Sequence, residues 1–223
     1  MQIKKYIQTG QYHEEHGILC QDAVGQCEKE GKCAIVGCDG AGTAPYSHIG
    51  ANELARQLAT YLAVNEEQLC SKTESEIARN IADFITEVME NQSKKYNCDQ
   101  KDLACTVMAV VTNEREHRYL SIHLGDGMIL SKKHRQKNYN ILSWPRNGVF
   151  RNQTYLTTTA DLKKYIRIKQ GKIEDIETFA LISDGVYEYQ PDILSVCSKI
   201  DKISSGEAIL ASRDDQLIAV MCA

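Results

Sequence analysis

Ile35-Val36-Gly37-Cys38-Asp39-Gly40-Ala41-Gly42 carries an apolar strand into one acid set among three glycines, and three later stretches end in the same way. They are Leu124-Gly125-Asp126-Gly127, Leu181-Ile182-Ser183-Asp184-Gly185, and Arg213-Asp214-Asp215 ahead of Gln216-Leu217-Ile218-Ala219-Val220. A single Asp-Gly after a strand is an ordinary tight-turn dipeptide. Several acids at the ends of apolar runs, joined by Gln21-Asp22 near the N-terminus, form a donor set for a hard divalent cation such as Mg²⁺ or Mn²⁺. The glycines beside Asp39 leave the backbone free to turn a carbonyl, that of Gly40, toward such an ion.

Outward from these stretches, the hydrophobic period sets the architecture. Ile3–Gln8, Ala23–Glu28 and Cys33–Cys38 read as short strands, and Lys29-Glu30-Gly31-Lys32 joins the last two as a hairpin. After Pro45, Ser47 is the expected N-cap of a helix with Ala51, Leu54, Ala55, Leu58 and Leu62 on one stripe. The capping box Thr73-Glu74-Ser75-Glu76 opens a second helix, carrying Ile77, Ile81, Phe84, Ile85 and Val88. The period then shortens, and Leu103–Thr112, Arg118–His123, Met128–Ser131 and Tyr139–Leu142 predict an antiparallel meander. Asn147–Tyr165, polar and containing Gly148, Thr157, Thr158 and Thr159, reads as an irregular loop or flap over a site. Glu177–Ser183 is a strand, short helices are expected after Pro191 and after Ser205, and Gln216–Met221 is the closing strand. Together these predict an α+β fold, one domain over residues 1–223, with antiparallel sheets packed face to face and helices outside.

A chain of 223 residues buries roughly 70% of its unfolded surface, enough for one large domain. A net charge of −4 offers no long-range attraction to a phosphate backbone, and Lys132-Lys133-His134-Arg135 is the only basic cluster, so nucleic acid is excluded as a partner. Met1–Tyr6 has no apolar leader and no run approaches a membrane span, which predicts a cytoplasmic protein with no membrane partner. Nine cysteines without Cys-x-x-Cys spacing read as small reduced hydrophobes. His117 and His123 lack an acid at ligand spacing and are expected in surface or packing roles. Ser183 lacks a Gly-x-Ser-x-Gly elbow and reads as a turn residue, and Trp144 reads as a packing anchor.

The ordered set Gln21-Asp22, Asp39-Gly40-Ala41-Gly42, Cys105-Thr106, Gly125-Asp126-Gly127, Ser183-Asp184-Gly185 and Asp214-Asp215 resembles the metal-dependent serine/threonine protein phosphatases of type 2C, in particular their compact bacterial-type branch. Asn152-Gln153-Thr154 adds a stretch similar to one found before the flap in that branch, and the resemblance covers essentially the whole chain. It implies a four-layer α/β/β/α sandwich with a dinuclear metal centre at one edge. In that centre Asp39 bridges two Mn²⁺ or Mg²⁺ ions, the Gly40 carbonyl binds one, and Asp184 and Asp214 bind the other. Asp22 acts through metal-bound water, and Asp126 helps to hold a weaker third ion. Two such cations about 4 Å apart acidify a bridging water for in-line attack on phosphorus. The implied substrate is a phosphorylated protein, the opposing enzyme a serine/threonine kinase, and the state a monomer. The chain departs from the family at Gln21, where glutamate is common, and in Gln11–Cys20, which holds His13 and His16 but not the usual phosphate-binding arginine. Those histidines become candidates for the phosphate contact. A weakly active domain that binds a signalling partner is the alternative these departures leave open.

Overall fold

Alternate residues of the same strand face different layers in this computed structural model, which describes residues 1–146, 154–187, 192–207 and 212–222. The strands are β1 (Gln2–Gln8), β2 (Asp22–Lys29), β3 (Lys32–Asp39), β4 (Val107–Asn113), β5 (Arg118–Leu124), β6 (Met128–Lys133), β7 (Asn140–Ser143), β8 (Arg167–Lys172), β9 (Ile176–Ile182) and β10 (Gln216–Cys222). One sheet runs β1-β10-β9-β6-β7 and the other β2-β3-β4-β5-β8, with every pair antiparallel. The helices are α1 (Gln11–His16), α2 (Ser47–Cys70), α3 (Glu74–Tyr96), α4 (Asp184–Tyr187) and α5 (Ile193–Ser205).

On β4, Val107, Ala109 and Val111 pack against Leu54, Leu58, Ile81 and Ile85 of α2 and α3, while Met108 and Val110 face the other sheet. On β9 and β10, Ala180, Ile182, Ile218 and Val220 meet Val196 and Ile200 of α5, while Phe179, Leu181, Leu217 and Ala219 fill the space between the sheets. Both faces of the central strands are therefore covered, and their sequences read as continuous apolar runs instead of alternating ones. The outcome is the expected α/β/β/α sandwich.

The hairpin turn, the capping box at Thr73 and the helix after Pro191 stand as read, with Glu30 and Gly31 at positive φ and Asp192 capping α5. Four readings are corrected. Tyr46, not Ser47, is the N-cap of α2; Ser47 begins the helix with its hydroxyl buried and without a hydrogen-bond partner among the described residues. The strand expected from Leu103 starts only at Val107, because Gln100–Leu103 closes into a 3₁₀ turn. The four segments are not one meander: β5 and β6 lie in different sheets, and the chain crosses between them at Gly125-Asp126-Gly127. Trp144 is 65% exposed and belongs to no core cluster among the described residues. Ser205 ends α5 with Gly206 as a left-handed C-cap, and the helix expected beyond it falls on residues 208–211, outside the described residues. Gly148, Asn152 and Gln153 of the flap also lie outside them.

Candidate metal centre

The β2–β3 register sets Asp22 opposite Asp39 where the two strands reach the sheet edge. Thr106 locks Asp39 from the neighbouring strand: its N–H donates to the Asp39 carbonyl (2.8 Å) and its Oγ1 accepts the Asp39 N–H (3.1 Å). The Gly40 N–H donates to the Gln21 carbonyl (3.1 Å), which ties the turn after Asp39 to the start of β2.

The second sheet brings the other acids. Ser183 accepts the Leu217 N–H at Oγ (2.9 Å) and donates its own hydroxyl to Asp22 Oδ2 (2.9 Å), so a serine that follows β9 steadies an acid of β2. That hydroxyl is committed, and the turn role expected for Ser183 becomes a cross-sheet clamp. Asp184 and Gly185 then open α4 against the segment before β10. A Cβ built on Gly185 would lie 1.9 Å from the Asp215 carbonyl oxygen, an approach only glycine permits, and it brings Asp184 alongside Asp214. Asp214 and Asp215 divide their work. Asp215 is buried and accepts the N–H groups of Gly10 (2.7 Å) and Gln21 (2.6 Å), with His13 Nδ1 3.0 Å from its Oδ1; Asp214 remains partly exposed.

Asp126 follows Gly125, whose φ of 110° turns the chain from one sheet to the other. Its Oδ2 accepts the Thr154 hydroxyl and its carbonyl accepts the Tyr187 hydroxyl. Thr157, from the flap segment, pins Cys105 in both directions, donating its N–H to the Cys105 carbonyl (2.9 Å) and accepting the Cys105 N–H at Oγ1 (3.2 Å).

Asp39, Gly40, Asp126, Asp184 and Asp214 all line one open cleft of about 660 Å³. Asp22 stands behind them, buried. His13 borders the cleft, and His16 does not: its Nδ1 lies 2.7 Å from the Tyr12 carbonyl and its ring packs on Tyr12 at 4.3 Å. The sequence reading missed Tyr12, Thr43, Thr154 and Arg213 as cleft residues. Arg213 carried a visible signal, its place next to Asp214. His123 holds a packing role, with Nδ1 2.7 Å from Ser143 Oγ and 2.9 Å from the Arg167 guanidinium.

Burial, followed by the neighbouring carboxylates Asp22, Asp184 and Asp126, pushes the Asp39 carboxyl well above the usual range. Burial pushes Asp22 well above it too, against an opposing hydrogen bond from Ser183, and raises Asp126 against one from Thr154. Asp22 Oδ1 is moreover buried without a hydrogen-bond partner among the described residues. A set of mutually repelling carboxylates, Asp22 buried and Asp39 and Asp126 half-buried, with an orphaned acceptor fits a hard divalent cation, which supplies the missing positive charge. Among the described residues no three acidic, imidazole or thiol groups are already gathered at ligand spacing.

The chain matches the family model for protein phosphatase 2C over residues 9–212. Among solved structures it is similar to a bacterial serine phosphatase, with a TM-score of 0.69 and 15% identity over 100% of this chain and 97% of that one. The serine/threonine phosphatase Stp1 from Staphylococcus aureus gives 0.66 and 13% over 100% and 95%. RsbX in complex with magnesium gives 0.59 and 15% over 98% and 93%. No curated protein matches the chain.

Proposed function

Because the chain belongs to the protein phosphatase 2C family, we propose that its acidic cleft hydrolyses phosphoserine and phosphothreonine esters of proteins, opposing a serine/threonine kinase, with residues 1–223 acting as one monomeric, cytoplasmic domain. No helix among the described residues is long and apolar enough to cross a membrane. The observation that carries the reading is the convergence of Asp39, Asp126, Asp184 and Asp214, from four separate strand ends, on one cleft. A domain that only bound a signalling partner would gain nothing from clustered carboxylates that repel one another.

Asp39 would be shared by two Mn²⁺ or Mg²⁺ ions, with the Gly40 carbonyl on one and Asp184 and Asp214 on the other. Asp22 would act from behind through water, and Asp126 would help to hold a weaker third ion. When bound, such ions supply Lewis acidity toward phosphoryl oxygens and lower the pKa of water. The chain supplies position. Thr106 orients Asp39, Ser183 steadies Asp22, Gly185 lets Asp184 reach Asp214, and Thr154 holds Asp126. No side chain is required as a nucleophile: the Ser183 hydroxyl is engaged, Cys38 and Cys105 are fully buried, and burial pushes the half-buried Cys20 thiol up to about 12, away from the reactive thiolate.

Hydrolysis of a phosphothreonine peptide should therefore require added Mn²⁺ or Mg²⁺, cease with EDTA, and persist after mild thiol alkylation. Turnover in EDTA, or its loss on alkylation of a folded protein, would refute the reading.

A further inference from the structure

We propose that Arg213 is the residue that grips the phosphoryl group of the substrate, filling the role for which Gln11–Cys20 contains no arginine. The proposal rests on the phosphatase reading of the cleft. Among the described residues, two basic side chains border that cleft, His13 and Arg213. His13 is buried, and its Nδ1 lies 3.0 Å from Asp215 Oδ1 without forming a hydrogen bond among the described residues, so its short side chain has little reach into the cleft. Arg213 is exposed, and among the described residues its guanidinium makes no hydrogen bond or ion pair, although several carboxylates share the cleft with it.

Its backbone is held while its side chain is not. The Gln11 N–H donates to the Ser212 carbonyl (3.0 Å) and the Tyr12 N–H to the Arg213 carbonyl (3.1 Å), so the root of the side chain is fixed against α1. A long cationic arm on a fixed root, beside acids that would hold divalent ions, is placed for a ligand that is itself anionic. A phosphate ester meets that description. It can offer some oxygens to the ions and another to the guanidinium with its fixed fork of donors. A cleft lined by carboxylates would otherwise repel a phosphate dianion at every point the ions do not screen. Since Arg213 precedes Asp214 directly, the positions of ion and phosphate are coupled through one backbone segment.

The test compares wild type, Arg213→Ala and Arg213→Lys on a phosphothreonine peptide at saturating Mn²⁺, with inorganic phosphate as competitive inhibitor and Mn²⁺ binding followed by calorimetry. Arg213→Ala should raise KM and the phosphate inhibition constant together by roughly 10- to 100-fold, the range of a charge-assisted pair, with a smaller change in kcat. Mn²⁺ affinity should hold, and lysine should restore part of the loss. An unchanged KM and inhibition constant in Arg213→Ala, with wild type active, would overturn the inference and leave the phosphatase reading standing. So would a loss of Mn²⁺ affinity in step with KM, which would make Arg213 an organiser of Asp214. An inactive wild type that binds Mn²⁺ would instead overturn the phosphatase reading, and this inference with it.

Discussion

Asp39→Asn should lower turnover of a phosphothreonine peptide by roughly two to four orders of magnitude while leaving the protein folded. The loss follows from removing a charge that both ions would share, each tenfold in rate being about 1.4 kcal/mol of transition-state stabilisation. The survival of the fold follows from the electrostatics of the metal-free cleft. Asp39 has its carboxyl pushed up by burial and by Asp22, Asp184 and Asp126, so the folded chain holds its proton more tightly than the unfolded chain does. The stability this group contributes is full below its unfolded value of about 3.9 and is lost as pH rises through the folded one. Near neutral pH its charge is a cost, and asparagine removes that cost while keeping the shape. The metal-free variant should melt at the same temperature as wild type or higher. Wild-type turnover by Asp39→Asn would remove Asp39 from the centre.

A methyl group should be nearly as damaging at Gly185, a residue with no chemistry of its own. Its Cβ would lie 1.9 Å from the Asp215 carbonyl oxygen and 3.4 Å from Asp214 Cβ, so the start of α4 must back away from the segment that carries both acids. Displacing Asp184 from Asp214 by about 1 Å is enough to cost on the order of 10²-fold in rate, and the overpacking adds roughly 1–3 kcal/mol of destabilisation. Rate and melting temperature should therefore fall together in Gly185→Ala, with weaker Mn²⁺ binding. A variant with normal rate and normal Mn²⁺ affinity would show that this close approach does not set the geometry of the acids.

The acids were legible in the sequence because Asp39 and Asp184 follow, and Asp214 precedes, strand runs apolar on both faces, and such runs are hard to mistake. Elements with weak patterns were not. The strand β8, Arg-Ile-Lys-Gln-Gly-Lys, pairs along one edge only and is largely polar, and α1 has six residues with one side chain, His13, buried. The premature start of β4 came from Leu103–Thr106, apolar enough to extend the run although the chain is still turning. Assignment of strands to sheets was out of reach, because Gly125-Asp126-Gly127 has the composition of a hairpin turn whether it joins neighbours or crosses layers. The different duties of Asp214 and Asp215 depend on Gly10 and Gln21, two hundred residues away in sequence, which no local pattern reveals. Arg213 is hidden for a related reason, since it lies two hundred residues from Gln11–Cys20 in sequence. The fold brings residues 212 and 213 onto that same segment through the hydrogen bonds from Gln11 and Tyr12.

Calorimetric titration of Mn²⁺ into metal-free wild type and Asp39→Asn asks whether these converging carboxylates form a divalent-metal centre organised by Asp39. Two tight equivalents in wild type, both lost or severely weakened in a folded Asp39→Asn, are the predicted result. No tight Mn²⁺ binding by the wild type, or the same isotherm from both proteins, would contradict it.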